Sequence, residues 1–525
     1  MARNRNGRKQ KNSGKQPRYT RKGSPAMSSL SAKDELFRRV MIKGTLTLNS
    51  ELHIGSGLPA EKDTQNKDQE QENSQEKDGN DTCVNEVQRD ATGKPFLPGS
   101  GLRGALAAQL DEQTPDGLHR RLFGLARQPA TEDKKESKED QGGMGLLRVY
   151  DALLMGQVKT DRRTRTRIEP VSGTAMQHHL ATLNLVPEGT QFKLRVMLEH
   201  SGGKESAITS KELECVLTLL EGLSQQRLGS GKSIGQGQVT WRCEDVQVIT
   251  EKGYREWILS RLEQDNSADS HSSETSLESY KEDYTAAGNT SCDGLKPLKW
   301  ERKAFSLKPD GPILINDPEA LRDRKEGDPH VTFMTRSERS AVIPGSTLKG
   351  WFRAQSRRIL LTLLQDKEMA QAERVARADE LLNKMFGSTN SGMGCLRFED
   401  AFAPFKKETD EHLQMFNAID RFTGGVKESA LFSAKGLWTN ESFYSGISYQ
   451  PYVLESEAWM KLLLLYVWQD AKEGDLVLGW GKSKGYGRLT LKAVNTGWLE
   501  KPGSEELEQW QDALLKALEP VTERV

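Results

Sequence analysis

The sequence predicts an α+β protein built from two tandem ferredoxin-like domains. Three observations lead there: a set of landmarks that occurs twice, the order of strands and helices in each copy, and the length left once uncored segments are removed. Hydrophobic residues make up 35 % of the 525-residue chain and 47 residues are glycine, which is the lower edge of a globular composition. Real cores are therefore expected beside solvated segments.

Four landmarks recur in the same order. FLPGSGLRGAL (from Pro98) matches VIPGSTLKGWF (from Pro344), and GGMGLLRVYDA (from Gly143) matches SGMGCLRFEDA (from Gly392). RIEPVSGTA (from Ile168) matches AIDRFTGGV (from Ile419), and LGSGKSIGQGQVTW (from Gly229) matches LGWGKSKGYGRLTL (from Gly479). Counted from each PGS proline, the later landmarks fall within a few positions of one another in the two copies. Ordered self-similarity at such close spacing marks an internal duplication.

Within each copy the periodicity alternates. RRVMIKGTLTLNSELHIG has the two-residue period of a strand, while LRGALAAQLDEQ and LKGWFRAQSRRILLTLLQ have helical spacing. LLRVYDALL, CLRFEDAFA and QFKLRVMLEH read as strands; SKELECVLTLLEGL and EAWMKLLLLYVWQDA read as amphipathic helices. Each Gly-rich loop then leads into a short strand. The order strand, helix, strands, helix, loop, strand suits a β-α-β-β-α-β unit with insertions, and ERVARADELLNKMF adds a helix to the second copy.

The charge balance locates the uncored parts. There are 75 basic and 75 acidic residues, but residues 1–22 hold nine bases and no acid, and residues 61–81 hold eight acids against three bases. Residues 263–293 hold eight acids against one base. These stretches bury too little apolar surface to offset the entropy of ordering. The sequence therefore reads as a disordered basic tail (1–35), a first domain (36–262) with disordered inserts at about 59–82 and 129–142, and an acidic linker (263–297). A second domain (298–500) and a C-terminal helical extension (501–525) follow. The neutrality is a cancellation, so it does not count against a nucleic-acid partner.

No run approaches the length of a membrane span, and the N-terminus lacks an apolar h-region. The five cysteines, at 83, 215, 243, 292 and 395, contain no CxxC pair. That speaks against a disulfide framework or zinc site and for a cytoplasmic location without membrane partners.

The two GxGKSxGxG loops are not P-loops. A Walker A motif needs Gly five residues before the GK, where Gln226 and Leu476 stand, and each loop follows a helix instead of preceding one. What remains is glycines 229, 231, 235, 479, 481 and 485 beside Lys232, Ser233, Lys482, Ser483, Lys484 and Arg488. Glycines admit a close backbone, and amides with nearby lysines can hold phosphates. At each PGS turn, Ser100 or Ser346 suits an N-cap, open amides attract an anion, and Arg103 or Lys349 adds charge.

Together these residues resemble the RAMP superfamily, and more narrowly the backbone-forming subunits of type III CRISPR effector complexes. LPGSGLRG and IPGSTLKG resemble the family's helix start. Ile419-Asp420-Arg421-Phe422-Thr423-Gly424-Gly425 resembles its acidic-Arg-x-Thr-Gly signature, with Ile168-Glu169-Pro170-Val171-Ser172-Gly173 as the divergent counterpart. Two such units in one chain resemble the fused double-backbone subunits of some type III-D systems. The resemblance implies RRM-like palms that hold crRNA and β-hairpin thumbs, placed here at about 153–186 and 402–447. It also implies target RNA and other effector subunits, including a large polymerase-like one, as partners. In the first thumb Arg163, Arg165 and Arg167 alternate, so they share one strand face; Arg421 belongs to the second thumb.

Subunits of this family that cut target RNA carry an Asp shortly before the PGS turn, working with a divalent metal, Mg2+. Asp328, upstream of Pro344 in the run Asp328-Pro329-His330-Val331, is the expected metal-binding catalytic carboxylate. Asp81, at nearly the same offset from Pro98, is its counterpart candidate. Asp90 reads as a turn acid. The resemblance leaves two other roles open: a structural RNA-binding subunit without catalysis, and a guide-processing endoribonuclease.

Overall fold

A computed structural model describes residues 36–57, 84–111, 117–124, 143–169, 172–199, 207–264, 282–283, 292, 295–296, 300–428, 430–494 and 502–519. The basic tail, Asp81 and both charged inserts lie outside the described residues.

In the first copy the chain runs β1 (Leu36–Leu48), α1 (Gly99–Ala107), β2 (Leu147–Val149), β3 (Ala152–Leu154), β4 (Asp161–Ile168) and β5 (Ala175–Leu185). It continues as β6 (Gln191–Glu199), α2 (Ser210–Gly222) and β7 (Val239–Thr250). The second copy runs β8 (Glu301–Pro309), α3 (Gly345–Leu363), α4 (Gln371–Phe386), β9 (Leu396–Phe398) and β10 (Ala401–Pro404). It continues as β11 (Glu411–Phe416), β12 (Phe432–Leu437), β13 (Phe443–Tyr449), α5 (Ala458–Glu473), β14 (Arg488–Ala493) and α6 (Ser504–Ala517).

Each copy builds one antiparallel sheet in which the last strand lies beside the first. The order is β7-β1-β6-β3 in the first and β14-β8-β13-β10 in the second. This is the ferredoxin-like order, and the fold is α+β in two tandem units. β1 shows why the register holds: Val40, Ile42, Leu46 and Leu48 are buried on the face toward α1 and α2, and a one-residue slip would turn them to the other face. Helix α2 starts on a capping box, in which the Thr209 hydroxyl accepts the Glu212 N–H at 3.2 Å and Glu212 accepts the Thr209 N–H at 2.8 Å.

Helix α5 is apolar on more than one face, with Leu462, Leu463, Leu464 and Leu465 buried in succession. It can be so because the sheet covers one side and α6 the other, through Trp510, Leu514 and Leu518. Truncating any of these leucines to alanine costs about 2–5 kcal/mol. The two copies keep separate cores.

Outside the sheets, β4–β5 and β11–β12 form hairpins, each joined by a short parallel strand from the segment before the PGS turn. Val84 and Asn85 pair with Thr182 and Leu183; Val331 and Thr332 pair with Ala434 and Lys435. This pairing carries the segment that follows Asp328 to the base of the second hairpin.

Two expectations change. Cys215 of α2 and Cys292 are joined by a disulfide, Sγ–Sγ 2.07 Å; their sequence separation is 77, so no spacing rule reveals the pair. The end of the segment read as a linker also lies on the first copy, where the Lys296 N–H donates to the Gln109 carbonyl at 2.8 Å. Among the described residues no helix is long and apolar enough to cross a membrane.

Candidate nucleic-acid interface

The two helix starts are built alike, and not by their serines. Pro98 and Pro344 occupy the N-cap positions, and no side chain caps from there. The cap comes from the DA motif of the GMG strand: the Gly99 N–H donates to Asp151 Oδ1 and the Gly345 N–H to Asp400 Oδ1, each at 2.7 Å. Ser100 and Ser346 lie one position further into the helix. The anion at each first amide is thus the chain's own carboxylate, which a distant residue supplies.

The Gly-rich loops do admit a close backbone, and it is the chain's own. A Cβ on Gly229 would stand 2.3 Å from the His53 carbonyl oxygen, and one on Gly479 2.3 Å from that of Leu314. A Cβ on Gly237 or Gly487 would stand 1.9 or 1.8 Å from the Leu228 or Leu478 carbonyl oxygen, and both glycines have positive φ, +80 and +84°. Gly231 and Gly481 sit under Gln236 and Tyr486. These glycines let the loop close over the segment after the first strand. His53 lies beneath, buried, its Nδ1 2.7 Å from the Asn184 carbonyl.

From there the two loops part ways. In the first copy the Lys232–Ile234 turn docks on the second copy: Lys349 Nζ donates to Ser233 Oγ at 2.8 Å, and a Cβ on Gly235 would stand 3.2 Å from the Glu399 backbone. In the second copy Lys482, Ser483, Lys484, Gly485 and Arg488 are exposed. Lys484 Nζ lies 5.7 Å from the Trp480 ring centroid, and space around Gly485 is open.

The first hairpin also packs on the second copy, so the three alternating arginines that share one strand face meet different surroundings. Arg163 is buried, with ion pairs of 2.8 Å to Glu51 Oε2 and 2.9 Å to Asp400 Oδ2. Burial works against its charge, but the Asp400 and Glu51 carboxylates more than offset that and hold it above its ordinary value. The same burial, with Arg163 as counterforce, pushes Glu51 up. Arg165 is half-buried, its Nε has no hydrogen-bond partner, and burial beside Arg163 pushes it down to about 10. Arg167 is exposed. A cavity of about 580 Å³ opens at this seam, lined by Glu51, Asp161, Arg163, Asp317 and Arg336 among others.

Away from the paired Arg163, one stretch of the seam is short of counter-charge. Burial pushes Lys349 down to about 8, with Arg353 adding repulsion, and Arg397 down to about 9, with Arg227 adding. Arg227, Lys232 and Arg353 are pushed down as well, each chiefly by burial. Arg227 has one nitrogen and Arg397 its Nε without a hydrogen-bond partner. Arg397 lies 3.6 Å over the Trp300 ring. Glu399 is committed to Arg302 at 2.7 Å and reaches Arg227 only at 3.6 Å. Desolvated cations short of carboxylates favour an incoming anion. Sequence reasoning missed Glu51, Asp400, Arg227, Arg353 and Arg397. Only Asp400 and Arg397 left a trace, as repeated letters of the GMG-x-L-R-x-x-D-A landmark.

The signature at the second hairpin tip is a turn device. Asp420 Oδ1 accepts the Phe422 and Thr423 amides, both at 2.9 Å, and these bonds hold its carboxyl below its ordinary value. Arg421 is exposed and Phe422 is 100 % exposed, both projecting from the tip. In the first copy Glu169 takes the equivalent place and accepts the Ser172 amide. Asp90 is likewise a turn acid, accepting the Thr92 amide at 2.8 Å.

Asp328 is exposed and Oδ2 accepts the Lys325 amide at 2.8 Å. Two residues on, His330 Nδ1 accepts the Ser433 amide at 3.1 Å, and Nε2 lies 3.0 Å from Arg324. Among the described residues no group of three or more His, Cys, Asp or Glu gathers as a metal cage. A lone exposed carboxylate still fits Mg2+, which commonly takes one or two carboxylates and completes its shell with water and substrate phosphate. The Leu52–Val186 and Ile313–Leu437 bridges align the two hairpins, and on that alignment Asn85 answers to Val331. Counted along the sequence from that alignment, Thr82 corresponds to Asp328 and Asp81 falls one position earlier; both lie outside the described residues.

The family model of the RAMP superfamily matches this chain twice, over residues 45–240 and 307–490. A search of curated proteins returns no match. The two matched stretches coincide with the two ferredoxin-like units and their Gly-rich loops, and the chain belongs to the RAMP superfamily, whose members have a CRISPR-associated, RNA-binding role.

Proposed function

We propose that this chain is a crRNA-binding backbone subunit of a type III effector complex, and that its second copy cuts the paired target RNA with a divalent metal. The single observation that supports the RNA path is the under-compensated cation row along the seam: Arg165, Arg227, Lys232, Lys349, Arg353 and Arg397. Phosphates there would supply the missing counter-charge, and binding would weaken with salt as ions are released. The exposed Lys482–Lys484 loop and the Arg421–Phe422 tip extend the row, offering charge to the backbone and an aromatic face to a base.

For the cut, Asp328 would hold the metal together with RNA phosphate oxygens. The bound ion would supply charge stabilisation at the phosphate and orient the attacking oxygen. The chain's own part is to fix Asp328 by the Lys325 amide at the base of the hairpin, and to present Arg324 beside it.

That same amide bond favours a second reading, in which Asp328 only closes a turn and the subunit is purely structural. Asp328→Asn keeps an acceptor for the Lys325 amide but removes the charge. In a complex reconstituted with guide RNA and Mg2+, the first reading expects target RNA to lose one set of cuts, at least ~100-fold in rate, with binding unchanged. Retention of every cut would leave the structural subunit.

A further inference from the structure

We propose that the Cys215–Cys292 pair is a redox-sensitive clamp, which ties the start of the second copy to the helices of the first when oxidised and releases it when reduced. Cys215 lies in α2, 1 % exposed, in the core of the first copy. Cys292 comes from the segment that leads into the second copy and is 8 % exposed. The bond thus joins one folded unit to the chain that enters the next.

Among the described residues little else holds that segment. Leu295 meets Leu110 in a single β-bridge, and the Lys296 N–H donates to the Gln109 carbonyl at 2.8 Å. The Leu295 side chain is 37 % exposed, so it adds little apolar burial. The helix, for its part, does not need the bond: α5, the counterpart of α2 in the second copy, packs its core with no cysteine. Opening the disulfide therefore leaves the first copy its core and takes from the segment its main anchor. Cys243 and Cys395 are free, so among the described residues this is the one linked pair.

The consequence is a change in tether length. Glu282 and Asp283, upstream in the same segment, pair with Val248 and Gln247 of β7. With the clamp closed, residues 297–300 alone span from the first copy to Glu301, where β8 begins. With it open, the span is residues 284–300. Effective concentration falls roughly as the −3/2 power of tether length, so opening the clamp weakens closure of the seam by about tenfold. The contacts that close the seam, Arg163 to Asp400 and Lys349 to Ser233, then part more often. The clamp acts on them whether or not RNA runs along the seam.

Closing the clamp is a two-step exchange with a low-molecular-weight disulfide. The thiolate of Cys292, the more exposed sulfur, attacks one sulfur of the small disulfide and expels one small thiol. The Cys215 thiolate then attacks the Cys292 sulfur of the mixed disulfide and expels the second. The protein pair is oxidised by two electrons, the small disulfide is reduced to two thiols, and the two protons pass to them. Two small thiols reverse the sequence, the first attacking Cys292 and expelling the Cys215 thiolate.

Arginine labelling of the full-length chain without RNA tests this. Arg163 and Arg227 are buried and pair across the seam with Asp400 and Glu399, while Arg421 is exposed. The chain is equilibrated with excess glutathione disulfide or with a phosphine reductant, desalted, and treated with phenylglyoxal. Peptide mass spectrometry should find Cys215 linked to Cys292 after the first treatment and not after the second. Relative to Arg421, labelling of Arg163 and Arg227 should be about tenfold faster in the reduced chain, the fold-change the tether length gives. Hydrogen exchange in β1, inside the first core, should be the same in both. Cys292→Ser leaves the core cysteine in place and should label at the reduced rate under either treatment. The reduced wild type makes the same comparison with no substitution. Failure of the linked peptide to form, equal labelling in the two states, or loss of β1 protection on reduction would each overturn the proposal, the last by making the bond a staple of the first core.

Discussion

Arg163 of the first hairpin reaches Asp400 of the second copy at 2.9 Å, while the other oxygen of that carboxylate takes the Gly345 amide at 2.7 Å. One side chain thus caps a helix and joins the two halves of the chain. Removing Arg163 leaves the Asp400 and Glu51 carboxylates without their shared cation, and removing Asp400 leaves Arg163 with Glu51 alone; breaking such a buried network costs about 3–5 kcal/mol. Arg163→Met should lower stability by that amount in urea unfolding, and Asp400→Ala by more, because it also uncaps α3. The pair Arg163→Met with Asp400→Asn should recover part of the loss. Additive losses would mean the two residues act separately.

The caps make a prediction opposite to the one the helix-start motif suggests. Asp151→Ala should destabilise the first copy by about 1 kcal/mol or somewhat more, as loss of a capping acceptor does. Ser100→Ala should stay within about 0.5 kcal/mol. Thermal unfolding of the two variants side by side decides which residue caps the helix.

RNA affinity should depend on pH through Lys349. Its folded value, about 8, lies below the ordinary lysine value of 10.5 because burial strips its water and Arg353 repels it. Without RNA the ammonium loses its proton as pH rises through about 8. A phosphate nearby favours the protonated form and raises that value. Affinity is therefore highest below about pH 8 and falls above it, by up to about tenfold per pH unit from this group. Fluorescence anisotropy at constant ionic strength should show the fall in the wild type and a flatter curve for Lys349→Gln. A wild-type curve as flat as the variant's would remove Lys349 from the RNA path.

Glycines in the second loop should differ sharply in tolerance. A Cβ at Gly487 would lie 1.8 Å from the Leu478 carbonyl oxygen, so Gly487→Ala must break the loop closure. Gly485 has φ +83° and open space, so Gly485→Ala carries only the left-handed strain of roughly 1–2 kcal/mol. Circular dichroism melts should find the first variant several-fold more destabilised than the second.

Much of the fold was legible because it is local and written twice. The position of the PGS helix starts and the alternation of β1 depend on residues close in sequence, so pattern and turn chemistry are enough to find them; what caps each start was not legible, because Asp151 and Asp400 come from far along the chain. The hairpin tip was reached through its likeness to the family signature, and it too is local: Asp420 bonds to amides two and three residues on. The Gly-rich loops were recognised as sites of close backbone approach, but not what approaches. That depends on the Leu52–Ile54 and Ile313–Ile315 segments, which lie at the far end of each copy's sequence.

By itself the sequence determined the duplication, the order of elements and the local devices at each turn, since those rest on periodicity and short-range hydrogen bonds. Only the tertiary structure decided which charges are free. Arg163, Arg165 and Arg167 look equivalent along a strand, yet they end buried and paired, half-buried and short of a partner, and exposed. Ser233 and Ser483 sit in loops of nearly one sequence, yet one is taken by Lys349 and the other is open. Pairing and burial depend on what the opposite copy brings across the seam, and nearly equal loop sequences in the two copies meet different neighbours.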